Sequence, residues 1–216
     1  MFKLYIMLYI CIMIKNKQRL YMKKTVLCLL LASSFALADS YSALHVAIMK
    51  SDTATIKSLI AKGSDIKSVS KTGLTPLHMA IKMGNVEAVK LLLAKGVDVD
   101  AQDSVGSSPL HYAVAKKRDD MVKLLLAKGA DIDTVNKESI TPLIQASYNG
   151  NLPLVTYLID NGADALIKNK NGHNACQIAY AKGNYNVSTF LLVPSKKQCS
   201  LSQDRTKQPH LYEQKK

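Results

Sequence analysis

The sequence predicts an all-α chain, a linear stack of helix pairs with a turn-rich loop between one pair and the next. Three observations carry this. The 216-residue chain falls on itself when shifted by 33 residues, without an insertion, from about residue 42 to 194. Within each unit apolar residues recur at i, i+3 and i+4, the spacing of a helix with one buried face. Glycines and short polar residues occupy fixed columns between those sets, where helices end and begin.

Each unit opens on Ser42, Thr75, Ser108, Thr141 or Asn174, side chains able to accept a bond from the first free amides of a helix. Pro76, Pro109 and Pro142 follow at the first helical position, where a missing N–H costs nothing; Ala43 and Ala175 stand there in the end units. Leu77, Ala80 and Ile81 make the apolar stripe of this first helix. The alanine recurs as Ala47, Ala80, Ala113, Ala146 and Ala179. Gly84-Asn85, Gly150-Asn151 and Gly183-Asn184 then stop the helix and cap another. The second helix carries Val89, Leu92 and Leu93, with matching sets Ile56, Leu59, Ile60; Val122, Leu125, Leu126; and Val155, Leu158, Ile159. Gly63, Gly96, Gly129 and Gly162 supply the left-handed turn that ends it, each with an aspartate two residues on: Asp65, Asp98, Asp131 and Asp164. Such a unit has apolar residues on more than one side and must stack on its neighbours.

The stretch "TPLHMA", residues 75–80, could be a chemical site built on His78 or structural punctuation. Its return at 33-residue intervals decides for punctuation. A 33-residue period with a T-P-L-H-x-A core resembles the ankyrin repeat. The resemblance covers about 42–194, five repeats. It implies an ankyrin-repeat solenoid of stacked helix pairs joined by β-turn or hairpin loops, and a non-catalytic module that binds a protein partner. It also implies that His45, His78 and His111 bond locally around the turn and first helix; Ile144 and Gln177 take that column in the last two repeats. The binding surface it implies is a concave face made of turn tips and the exposed side of the first helices. Carried over, that face takes Lys71, Leu74 and Met83 in the second repeat and Val105 and Lys116 in the third. The fourth gives Ile140 and Tyr148, and the fifth Lys170 and His173. Leu74, Met83, Ile140 and Tyr148 stand out as exposed apolar side chains of the kind that carry interface energy.

Two places depart from the pattern. In "AKKRDDM", 115–121, Lys117 and Arg118 replace the glycine and the capping residue. Asp119 or Asp120 could take over the cap one or two residues later; the cationic patch reads either as part of a binding surface or as a lengthened first helix, and the second reading is preferred. Ser139 replaces glycine in the column of Gly73, which suggests a differently shaped turn.

The net charge of +13 is unevenly spread. Residues 1–38 carry six bases and no acid, and 39–195 carry 17 bases and 14 acids. A nearly neutral repeat region carries no nucleic-acid footprint. Lys62, Lys95 and Lys128 near the ends of the second helices suit the helix dipole, and Lys57, Lys90 and Lys123 read as a solvated outer face. No nucleophile–base pair, phosphate loop or metal-spaced Cys/His cluster occurs, so no catalytic residue, cofactor or metal is expected. Histidines on successive stacked helices, roughly 8–10 Å apart, cannot share one ion.

The ends read as address and tail. "MKKTVLCLLLASSFALADS", 22–40, has Lys23 and Lys24, an apolar run, and Ala36-x-Ala38, the parts of a bacterial secretory signal cut after Ala38. The alternative, a membrane anchor, needs about 20 apolar residues, more than the uncharged run from Thr25 to Ala38 supplies. Residues 1–21 read as an upstream extension ahead of Met22, residues 39–195 as the repeat domain, and 196–216 as a mobile polar tail. The expected location is periplasmic or secreted; the expected state is a monomer without a membrane span, and a secreted effector acting on host proteins is the alternative function. Cys176 stands in a core column, while a bond to Cys199 stays open in an oxidising compartment. N-terminal sequencing of the exported protein should find Asp39 first; a mature form that keeps residues 25–38 would remove the secretory reading.

Overall fold

The computed structural model describes residues 41–63 and 66–192. The predicted signal, Asp65, Cys199 and the tail lie outside the described residues. Ten helices occur among those residues, and they alternate as first and second members of five pairs. The first helices are α1 (Ala43–Met49), α3 (Pro76–Met83), α5 (Pro109–Ala115), α7 (Pro142–Tyr148) and α9 (Ala175–Ala181). The second helices are α2 (Thr53–Ala61), α4 (Val86–Ala94), α6 (Asp119–Ala127), α8 (Leu152–Asp160) and α10 (Tyr185–Leu191). The expected all-α solenoid is the observed architecture.

Caps set the helix boundaries as the sequence columns require. Ser42, Thr75, Ser108, Thr141 and Asn174 each accept from the backbone N–H three residues on. Asp52, Asn85 and Asn151 do the same for second helices. Lys62, Lys95 and Lys128 sit one position past their helices, as C-caps rather than in the last turn.

The AKKRDDM segment departs from expectation. Helix α5 is not lengthened; it stops at Ala115, and Lys117 adopts a left-handed φ of 54°. Arg118 is the N-cap residue of α6 without a side-chain cap, and Asp119 and Asp120 are the first helical residues. The helix dipole favours the two carboxylates there, which compensates part of the missing cap. Ser139 likewise holds φ 54°, so its turn keeps the shape of the glycine turns it replaces.

The two helix layers pack unequally. The first helices contact one another in an unbroken series, while the second-helix layer touches more sparsely. Ala47, Ala80, Ala113, Ala146 and Ala179 are all at most 4% exposed, and their small side chains let the first helices approach closely. The side of the closely packed first helices is the inner side of the stack. Leu44, Leu77, Leu110, Leu143 and Cys176 form one buried column through the stack. Cys176 therefore packs as a core residue, with its Sγ 3.7 Å from the Ser188 carbonyl.

The loops between pairs add a backbone ladder. The amides of Ser104, Lys137 and Lys170 donate to the carbonyls of Thr72, Val105 and Glu138, each one repeat back. The side chain three residues before each tip glycine column, Ser70, Asp103, Asn136 or Asn169, accepts from two amides of its own tip. A Cβ on Gly73 would lie 2.7 Å from the Ser104 backbone nitrogen at a φ of +75°.

Two stability outcomes follow. Leu110→Ala, at a fully buried site, should cost about 2–5 kcal/mol in denaturant unfolding. Its effect should extend beyond the third repeat, because neighbours share the interface. Ser147→Ala should raise the melting temperature, because Ser147 Oγ is fully buried with no hydrogen-bond partner; an unsatisfied hydroxyl costs roughly 1–3 kcal/mol. A lower melting temperature for Ser147→Ala would show that the hydroxyl is satisfied.

Candidate functional site

The histidine column has a two-sided role. His78 Nε2 lies 3.0 Å from the Ser107 carbonyl, which can only accept, so Nε2 carries the proton. Nδ1 then accepts from the Thr75 amide at 3.2 Å and the Thr75 hydroxyl at 2.9 Å. His111 repeats this, with Nε2 2.7 Å from the Ile140 carbonyl and Nδ1 accepting from Ser108. His45 Nε2 reaches the Leu74 carbonyl at 2.8 Å, and Nδ1 faces the Ser42 hydroxyl at 2.7 Å. The expected local bonds are present. The long-range bond, which fastens each of the first three repeats to the next, was not foreseen from the sequence. Gln177 keeps only the local half, accepting from the Asn174 amide at 3.0 Å, and Ile144 has no side-chain donor or acceptor for either half.

Burial is the leading cause that lowers the pKa of all three histidines, opposed by the carbonyl bonds at Nε2. Around His78, Asp103 and Asp98 push the other way and His111 adds to the lowering. The neutral ring is therefore the folded-state form, consumed by structure rather than offered to a substrate. Among the described residues no group of three or more His, Cys, Asp or Glu is placed to hold a metal.

The inner surface is built from one side of each first helix. Positions i, i+3 and i+4 share a face, and in α3 these are Met79, Lys82 and Met83. The equivalents are Val46, Met49, Lys50; Tyr112, Ala115, Lys116; Gln145, Tyr148, Asn149; and Ile178, Ala181, Lys182. The first residue of each set is buried or half-buried and floors the surface, and the second is exposed in every set. The Tyr112 hydroxyl donates to Asp103 Oδ2 at 2.8 Å, and its ring meets His78 edge-on at 5.3 Å. Burial and that carboxylate both raise the Tyr112 pKa, so it stays protonated. Lys182 Nζ lies 4.4 Å from the centre of the Tyr148 ring, a contact between neighbouring repeats.

The predicted binding residues divide on exposure. Met83 is 39%, Tyr148 49% and Val105 56% exposed. Lys71, Lys116, Lys170 and His173 are exposed as well, and Lys170 pairs with Glu138 at 3.6 Å. Leu74 is a correction. It is 4% exposed and belongs to the core, because the turn folds it inward beneath the tip. Ile140 is also corrected, being half-buried and packed on the core while its carbonyl holds His111. Both precede the N-cap of a first helix. That position lies at the seam between repeats, so an apolar residue there is covered.

The sequence reading placed Met83, Lys116 and Tyr148 on this face. Which of the i, i+3 and i+4 residues form its floor and which stand open is decided by how the neighbouring repeats pack.

A family model for ankyrin repeats (3 copies) matches residues 44–136 and 110–203. The chain belongs to the ankyrin-repeat family. No curated protein matches it. Proteins of this family are generally protein–protein interaction modules, typically non-catalytic. No helix among the described residues is long and apolar enough to cross a membrane.

The buried neutral histidines set the pH response. Their folded-state pKa lies below the unfolded value of about 6.5, so the unfolded chain binds the proton more tightly. Stability is complete above about pH 6.5 and falls as the pH drops below it. Asp100 and Asp133, whose pKa burial raises, act in the opposite sense but only near the carboxylate range. Thermal melts from pH 7.5 to 5.0 should show a falling melting temperature. His78→Gln with His111→Gln should be less stable at pH 7.5 yet lose less on acidification. An equal loss in both would reject this account.

Proposed function

We propose that the protein is an exported, non-catalytic binding module whose inner surface holds a protein partner. One observation carries this reading. Met83 and Tyr148 are large side chains left exposed on the first helices, while most other residues of those two helices are engaged in caps and core. Large side chains of this kind on a face that stacking leaves free are the ones that anchor a partner. Export rests on the Lys23-Lys24 signal pattern and Ala36-x-Ala38, and directs the search for the partner to the periplasm or medium.

A photo-crosslinking residue placed at Met83 or Tyr148 in the full chain should trap a protein partner in the compartment where the chain accumulates. One at Lys90 on α4 should not. Met83→Ala with Tyr148→Ala should leave the melting temperature nearly unchanged and weaken partner binding by more than about 1 kcal/mol per anchor. Unfolding of that variant, or crosslinks only from Lys90, would refute the assignment of the inner face.

A further inference from the structure

The exposed side of the first helices carries charge of one sign, whereas the second-helix layer carries both. The outward set of first-helix positions contains Lys50, Lys82, Lys116 and Lys182, all exposed, and not one acid in any of the five repeats. Lys117 and Arg118 extend the cationic row into the loop after α5. The acids collect elsewhere. Asp98, Asp100, Asp131, Asp133 and Asp164 follow the second helices, and Asp100 and Asp133 accept from the amides of Asp131 and Asp164. Asp103, the acid nearest the inner floor, is occupied by the Tyr112 hydroxyl and by the amides of Val105 and Ser107. The repeats as a whole are nearly neutral because the acids, all outside these positions, offset lysines of both layers, Lys57, Lys90 and Lys123 on the second helices included, so the average hides a first-helix surface of one sign.

We infer that the inner surface takes an acidic polypeptide segment, one in which Asp or Glu alternate with apolar or aromatic residues. The inference rests on the binding-module reading above and specifies the chemistry of its partner. Carboxylates would meet Lys50, Lys82, Lys116 and Lys182, spaced one repeat apart except at repeat four. There Asn149 takes the lysine position and Tyr148 is exposed, so an apolar residue of the partner would seat between Lys116 and Lys182. Met83 offers a second apolar seat two repeats away. This alternation of cation and apolar side chain fits a protein segment. A bilayer is flat and offers its apolar part only below the headgroups, and nucleic acid presents charge without matching aliphatic groups. A one-signed surface also raises the encounter rate with an oppositely charged partner and screens out basic ones.

The test uses the full chain and two fluorescent peptides, one alternating Glu with Leu and Tyr and one with Gln in place of each Glu. Fluorescence anisotropy should show the Glu peptide binding about ten-fold more tightly than the Gln peptide in low salt, with the gap closing as salt rises. The triple change Lys82→Gln, Lys116→Gln and Lys182→Gln should weaken Glu-peptide binding by about ten-fold, at a few-fold per exposed pair. The matched triple Lys62→Gln, Lys90→Gln and Lys128→Gln, which removes the same charge from the other layer, should leave it within about two-fold. Equal affinity for the two peptides, or equal loss in the two variants, overturns the inference. So does binding of phosphatidylglycerol vesicles or duplex DNA, but not the Glu peptide, through the same three lysines. If Met83 crosslinks a protein while the Glu peptide shows no preference, the charge inference fails and the binding-module reading stands. If neither occurs, both fail.

Discussion

A single helix pair in this chain leaves apolar side chains open on both sides, and only another pair can cover them. Leu110 is fully buried because repeats two and four stand on either side of repeat three, and the same holds for Leu77 and Leu143. Every other feature works within that requirement. Alanine at the first-helix contact sets how closely neighbours approach, the glycine columns set where the chain reverses, and the tip ladder keeps successive loops in register. Stability is therefore shared along the array, and binding residues can sit on a surface that the stacking leaves free.

The seam between repeats is where local and long-range order meet. In each of the first three repeats one imidazole closes the helix cap with Nδ1 and holds the next repeat with Nε2. A helix terminus normally leaves amides unsatisfied, and a loop approaching it leaves carbonyls unsatisfied; one neutral ring serves both. At the fourth repeat Ile144 replaces the ring, and the fourth and fifth repeats are held by their packed first helices and by Asn184, whose side chain donates to the Ser147 and Tyr148 carbonyls. The connection survives with different chemistry, which explains why the column tolerates a hydrophobic residue there.

The inner surface shows how a repeat array can be structurally regular and chemically individual. The backbone columns repeat almost without change, but the i, i+3 and i+4 set on the first helices differs in every unit, and Met83, Lys116 and Tyr148 fall at related places with different chemistry. Those positions touch little of the scaffold, so they are free to match a partner. The acidic loops after the second helices serve the opposite purpose. Asp100 and Asp133 accept from backbone amides of the next repeat, and Asp98, Asp131 and Asp164 from amides of their own loops, so these carboxylates serve structure.

The repeat period, the helix pairs, their caps and the core columns were legible in the sequence, because caps and i, i+3, i+4 spacing are local and each was written five times over. The family resemblance followed from the same columns. What only the tertiary structure decided were contacts between residues one repeat apart. Leu74 and Ile140 looked exposed from their place on a turn, yet the adjacent repeat covers them. The histidines looked local, yet Nε2 crosses to the next unit. Lys117 and Ser139 looked like breaks in the pattern, yet stacking holds both in the left-handed conformation that glycine would take. That lysines stand on both layers while the acids stay off the open side of the first helices was present in the sequence but could not be read there, since composition counts charges and only the fold assigns them to a side.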